Sequence, residues 1–142
     1  MASIIGTIGD DRLYGTIGND YMYGDLGADI LNADAGDDVI HGKEGNDRIA
    51  GGDGADLAYG GYGMDSIDGG NGNDILFGGE EADSMRGGAG NDLIYGDSGD
   101  DLLLDTDGLD DRAGRVARVD LVDRHRLRGL HHLVRGVGLA VG

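Results

Sequence analysis

Every ninth residue from Ile4 to Leu103 is apolar: Ile4, Leu13, Met22, Leu31, Ile40, Ile49, Ala58, Ile67, Leu76, Met85, Ile94 and Leu103. A period of nine fits neither the 3.6-residue period of an amphipathic helix nor the strict alternation of a long strand. It fits a short strand that recurs at fixed intervals between turns. Cut at Gly6, the chain falls into eleven nonapeptides without an insertion, the last ending at Leu104. Residues 69–77, GGNGNDILF, show the form, and GGEEADSMR and GGAGNDLIY follow it directly. Position 1 is glycine in ten of the eleven, with Ala33 the exception, and position 4 in ten, with Glu81 the exception. Position 6 is always aspartate: Asp11, Asp20, Asp29, Asp38, Asp47, Asp56, Asp65, Asp74, Asp83, Asp92 and Asp101. Position 8 carries the apolar residue. Side chains alternate along a strand, so position 8 points one way and positions 7 and 9 the other. One inward residue per strand makes a thin core.

Composition narrows what such turns and strands can be. Glycine reaches 31 of 142 residues with no proline, which excludes collagen, and the unbroken period argues against a flexible linker. Turns with positive φ at fixed places remain. There is no cysteine, hence no disulfide, thiolate site or thiol nucleophile. Residues 1–104 hold 22 acidic and four basic side chains, a net of −18. That sign opposes nucleic-acid binding and suits cations. No apolar stretch reaches membrane-spanning length, and MASIIGT at the start has neither the basic segment nor the apolar run of a signal peptide.

Residues 6–104 resemble the glycine- and aspartate-rich nonapeptide repeats of haemolysin-type, repeats-in-toxin (RTX) proteins, whose pattern is G-G-x-G-x-D-x-U-x. The resemblance implies an all-β fold, a parallel β-roll (right-handed parallel β-helix) of about five and a half coils of 18 residues. Each nonapeptide would give a six-residue turn and a three-residue strand, with Ser3–Ile5 as a starting strand and the roll ending near Leu104. At a strand spacing of ~4.8 Å the stack would be roughly 26 Å long. The resemblance also implies Ca²⁺ as cofactor, each ion lying between turns one coil apart, with the eleven position-6 aspartates as ligands. Eleven repeats contain nine such pairs. Secretion to an extracellular location by a type I system is implied as well.

The residues support a cation independently. Twenty-five glycines lie in residues 1–104, and ordering each costs more backbone entropy than any other residue type. Carboxylates stacked one strand spacing apart repel unless a cation lies between them. Calcium accepts six to eight oxygens in flexible geometry, whereas magnesium prefers a tighter octahedron and keeps its waters. An isolated aspartate here would read as a turn cap. Eleven in register read as a ligand column. The odd repeats supply Asp11, Asp29, Asp47, Asp65, Asp83 and Asp101, the even repeats Asp20, Asp38, Asp56, Asp74 and Asp92. Glu81 is expected to weaken the sites around Asp83, and Ala33, less so, that at Asp38.

Enzymatic chemistry finds no support, since G-x-S-x-G, H-E-x-x-H and P-loop motifs are all missing. His41 falls at an outward strand position, and the adjacent His131 and His132 bring no further ligands. A calcium-binding module that folds on extracellular calcium is therefore the expected function. A non-catalytic accessory module or fragment of a secreted enzyme or toxin is the alternative. Residues 105–142 form a second region, with seven arginines against two aspartates from Arg112 onward. Valines and leucines between Val116 and Val137 recur at an approximate three-to-four spacing, a weak helix signal weakened further by Gly129 and Gly136. This tail is expected to be irregular or weakly helical, and its basic character departs from the family's export signals.

Because two repeats complete a coil, odd and even repeats should build opposite sheets. The odd-repeat exterior is mostly polar, and Asp68 should meet Arg86 one coil on. The even-repeat exterior carries Tyr21, Val39, Leu57, Ile75 and Leu93 at position 7, and Tyr23, His41, Tyr59, Phe77 and Tyr95 at position 9. Two adjacent apolar columns suggest an interaction face for the tail, a second copy or a partner protein.

Overall fold

The computed structural model describes residues 1–104 and 119–120. The described residues form strands and turns with no helix. The strands are β1 (Ser3–Ile5), β2 (Arg12–Tyr14), β3 (Tyr21–Leu26), β4 (Ile30–Asn32), β5 (Val39–Glu44), β6 (Arg48–Asp53) and β7 (Leu57–Tyr62). They continue with β8 (Ser66–Asn71), β9 (Ile75–Glu80), β10 (Ser84–Ala89), β11 (Leu93–Ser98), β12 (Leu102–Leu104) and β13 (Val119–Asp120). A seven-stranded sheet takes the order β1-β3-β5-β7-β9-β11-β13, and a six-stranded sheet the order β2-β4-β6-β8-β10-β12. All pairings are parallel. Odd and even repeats thus build opposite sheets of a β-solenoid, as their parity requires.

The register explains the nonapeptide. From Ser3↔Tyr21 to Arg86↔Leu104, every pair within the repeats joins residues 18 apart, so identical repeat positions stack. The position-8 side chains from Met22 to Leu103 form the buried core, with Ile4 and Leu13 packed against it at the open end. That single file is the thin core anticipated above.

Two features differ from the simple turn-and-strand scheme. Strands β3 and β5 to β11 span six residues rather than three. In-register stacking leaves the first residues of each turn opposite their counterparts one coil away, so Gly52 pairs with Gly70 and Asp53 with Asn71. Hydrogen bonding between coils therefore runs on into the turn. The second difference lies after Leu104. A strict period would put Arg112 beside Ile94, but β13 takes that edge instead, with Val119 opposite Ile94 and Asp120 opposite Tyr95. The helix signal across residues 116–137 otherwise lies outside the described residues.

The exteriors match their sequences. Arg86 approaches Asp68 at 3.9 Å on the odd-repeat sheet, both half-exposed. On the even-repeat sheet, Tyr23, His41, Tyr59, Phe77 and Tyr95 stack as one ladder, with centroids 4.6–5.0 Å apart and planes within 7° of parallel. Each interior ring spends both faces on its neighbours. The outward surface of the ladder therefore consists of ring edges beside the position-7 column.

Candidate metal centre

The position-6 aspartates point into the solenoid. Asp20, Asp29, Asp38, Asp47, Asp56, Asp65, Asp74, Asp83 and Asp92 are 1–2% exposed, as buried as the core. One carboxylate oxygen is explained by the backbone. The N–H of each position-6 residue donates to Oδ1 of the aspartate one coil on, from Asp11 to Asp29 (2.8 Å) through Asp56 to Asp74 (2.9 Å) to Asp83 and Asp101 (2.9 Å). The next residue's N–H bonds the position-6 carbonyl of the preceding coil, as Ile75 does with Asp56 at 2.8 Å. The aspartates thus replace a ladder hydrogen bond where the chain turns.

The second oxygen is another matter. Oδ2 of Asp29, Asp38, Asp47, Asp56, Asp65, Asp74 and Asp83 is buried with no hydrogen-bond donor. A buried ionised oxygen without a partner costs several kcal/mol, so such a group either takes a proton or meets a cation. Burial accordingly pushes these carboxyls up: Asp47, Asp74 and Asp83 to about 6, Asp56 and Asp65 to about 7. Desolvation is the main cause, opposed by the amide bond to Oδ1, with neighbouring carboxylates adding to the rise. Asp29 and Asp38, nearer the open end, are raised by the same desolvation.

Glycine at position 1 is there for space. At Gly69 an added Cβ would collide with Oδ2 of Asp74, in its own repeat, and reach within 2.6 Å of the Gly87 carbonyl one coil on. The same pair of oxygens, one carboxylate and one carbonyl, converges at Gly24, Gly42, Gly51, Gly60 and Gly78. Ala33 is the exception, and its methyl is buried in the core. Among the described residues positive φ is confined to repeat positions 2 and 4. Position 4 runs from 115° at Gly63 to 145° at Gly99 in the later repeats, and Glu81 joins it at 79°. Glu81 therefore keeps the turn's course at the conformational expense of a non-glycine residue, and Asp83 is as buried as its neighbours.

The donor set fits calcium in kind. It offers hard oxygens only, anionic carboxylates one coil apart with inward backbone carbonyls beside them. Among the described residues no three carboxylate or imidazole side chains gather as a ready-made ligand cluster. Any ion must draw on the backbone as well as on the aspartates.

The family model of the RTX calcium-binding nonapeptide repeat (4 copies) matches residues 5–40, 41–76 and 68–103. The chain belongs to that family. RTX repeats bind calcium, and the described turns carry the aspartate of every repeat in register. Comparison with curated proteins and with solved structures returns no match.

Sequence reasoning missed two sets of residues in these turns. Position-5 side chains form a second ladder, outside the aspartates and opposite in direction. Oδ1 of Asp10, Asn19, Asp37, Asn46 and Asn73 accepts the N–H of Ala28, Asp37, Ala55, Met64 and Asn91 one coil on, at 2.9–3.0 Å. Asp or Asn at position 5 in seven of the eleven repeats was its only trace. The other set is Thr7 and Thr16. Asp11 and Asp20 occupy the same repeat position as the remaining aspartates, but their Oδ2 atoms already have donors from these threonines. A change of residue type at position 2, confined to the first two repeats, marks them in the sequence.

Proposed function

We propose that the chain is a calcium-binding β-roll module that folds as it binds extracellular calcium and has no catalytic role of its own. The observation carrying this is the file of buried Oδ2 atoms from Asp29 to Asp83, which have no donor among the described residues. A thin core cannot offset the entropy of ordering 25 glycines together with a buried column of like charges. A divalent ion between successive coils removes the repulsion and supplies the missing partner. Metal affinity then becomes folding free energy. The ligands are drawn from the position-6 aspartates and the inward carbonyls of the glycine turns, and at most about nine inter-coil positions could hold ions. An affinity of roughly 10⁻⁴–10⁻³ M, as in extracellular modules, leaves the chain unfolded in a cytosol and folds it outside. Type I export accords with the family, and the described residues contain no helix long and apolar enough to cross a membrane.

Calorimetric titration of the full chain tests this reading. Calcium should bind with cooperative heat and several ions per chain, and magnesium at the same concentration should give little. Equal response to both ions would remove the argument for calcium.

The even-repeat face belongs to the same proposal. β13, two residues of the region after Leu104, lies at the edge of that sheet, and the region's sequence is arginine-rich where the roll is acidic. The tail is the partner proposed to cover the apolar columns beside Tyr23, Tyr59, Phe77 and Tyr95. A chain ending at Leu104 should then bind a hydrophobic dye or self-associate in calcium, and Tyr59→Ser with Phe77→Ser should abolish that. A monomeric, dye-silent truncation would count against it.

A further inference from the structure

The first two turns are built differently from all later ones. Oδ2 of Asp11 accepts from the Thr7 N–H at 2.5 Å and the Thr7 hydroxyl at 2.9 Å. Oδ2 of Asp20 accepts from the Thr16 N–H at 2.6 Å and the Thr16 hydroxyl at 2.8 Å. Oδ1 of Asp20 also accepts from the Ala2 N–H at 2.7 Å, so that carboxylate meets three donors. The Ala2 bond, with those from Thr16, pulls Asp20 below the usual carboxylate range despite its burial. This is the reverse of the position-6 aspartates from Asp29 to Asp83.

Backbone conformation changes at the same boundary. Position 2 has positive φ from Asp25 onward, including Asp34, Lys43, Gly52 and Asp97, but not at Thr7 or Thr16. Position 4 has positive φ from Gly27 onward, but not at Gly9 or Gly18. A β-branched residue resists the left-handed region that glycine and aspartate tolerate. Threonine at position 2 therefore holds the turn in a form where its own N–H and hydroxyl face the carboxylate. From Asp29 to Asp83 that oxygen faces no donor.

We infer that Thr7 and Thr16 substitute for the cation in the first two repeats, making the first coil a calcium-independent cap on which the ion-bound coils stack. The inference rests on the calcium reading above and refines it. Of the nine inter-coil pairs, the two that need Oδ2 of Asp11 and Asp20 are closed, which leaves seven. Those seven draw on Asp29, Asp38, Asp47, Asp56, Asp65, Asp74 and Asp83, the aspartates whose Oδ2 lacks a donor and which have a repeat one coil beyond.

The experiment is a count of bound calcium at saturation, by equilibrium dialysis of the full chain. The wild type should bind about seven ions. Thr7→Gly with Thr16→Gly frees both turns and should raise the count by about two, while Thr16→Ser, which keeps the hydroxyl, should leave it unchanged. Asp20→Asn should not lower the count, and Asp56→Asn should lower it. An ion lost in Asp20→Asn, or a wild-type count of nine that the double glycine variant does not exceed, overturns the cap. Asp20→Asn decides the matter even where the double variant is poorly folded. No loss in Asp56→Asn would instead overturn the calcium column itself, so the two failures are distinguishable.

Discussion

The first coil and the coils from Asp29 to Asp83 present the same aspartate at the same inward position, yet only the first coil provides for its charge. There, amide and hydroxyl donors from Thr7 and Thr16 hold the carboxylates, and the pKa of Asp20 falls. Further along, the identical side chain loses those donors and its pKa rises to about 6 or 7. The fold is common to both regions, so the difference lies in one residue per turn. A repeat motif therefore identifies where a ligand can stand, and the residue at position 2 decides whether the carboxylate is left open to one.

Replacing Asp56 or Asp74 by alanine should break that comparison most severely. Each change removes a carboxylate facing two neighbouring coils and the Oδ1 acceptor of a ladder amide, for Asp74 that of Asp56. Stability in calcium should fall by about 3–5 kcal/mol, measured by thermal unfolding, as for breaking a buried charged pair. Asp20→Ala should cost the first coil alone, with no change in calcium affinity.

Gly69→Ala should come next. Its Cβ would strike Oδ2 of Asp74 and crowd the Gly87 carbonyl, for a loss of about 1–3 kcal/mol. A neutral result would mean that position-1 glycine is not held by space.

Acidity sharpens the contrast. The raised carboxyls of Asp47, Asp56, Asp65, Asp74 and Asp83 bind protons more tightly when buried than in an unfolded chain, where their pKa is about 3.9. Without metal, their protonation stabilises the folded form at low pH, and that contribution is lost as pH rises through 6 to 7. Calcium needs the ionised form, so its affinity should decline as pH falls from about 7 towards 5. Titrations at three pH values across that window check the sign, and affinity that improves on acidification would contradict it.

Smaller effects belong to the turn exception and the surface. Glu81→Gly should relieve a non-glycine residue at φ 79° and stabilise the roll by about 1 kcal/mol, seen as a raised melting temperature. Arg86→Ala should change stability by less than about 1 kcal/mol, since its ion pair with Asp68 is half-exposed.

Much of this architecture was legible because period and function coincide. An apolar residue every nine positions, with aspartate two before it, marked the inward file, and the resemblance to RTX repeats supplied the parallel stacking and with it the Asp68–Arg86 contact. What escaped were consequences of stacking rather than of the repeat. Six-residue strands arise because turn backbones pair between coils, as Gly52 does with Gly70. The role of position-1 glycine emerges only when the Asp74 carboxylate is seen packed against Gly69. The threonine clamps depend on where an N–H points, which turns on backbone conformation and not on the motif. β13 follows no period at all.

The central claim is that buried, donor-less carboxylates make folding depend on calcium. Far-ultraviolet circular dichroism of the full chain, recorded first in excess chelator and then through a calcium titration, tests it most directly. The account predicts a largely unfolded spectrum in chelator that converts cooperatively to a β spectrum as calcium reaches the extracellular range, with only the first coil free of that requirement. A fully developed β spectrum in chelator, unchanged by added calcium, would contradict it.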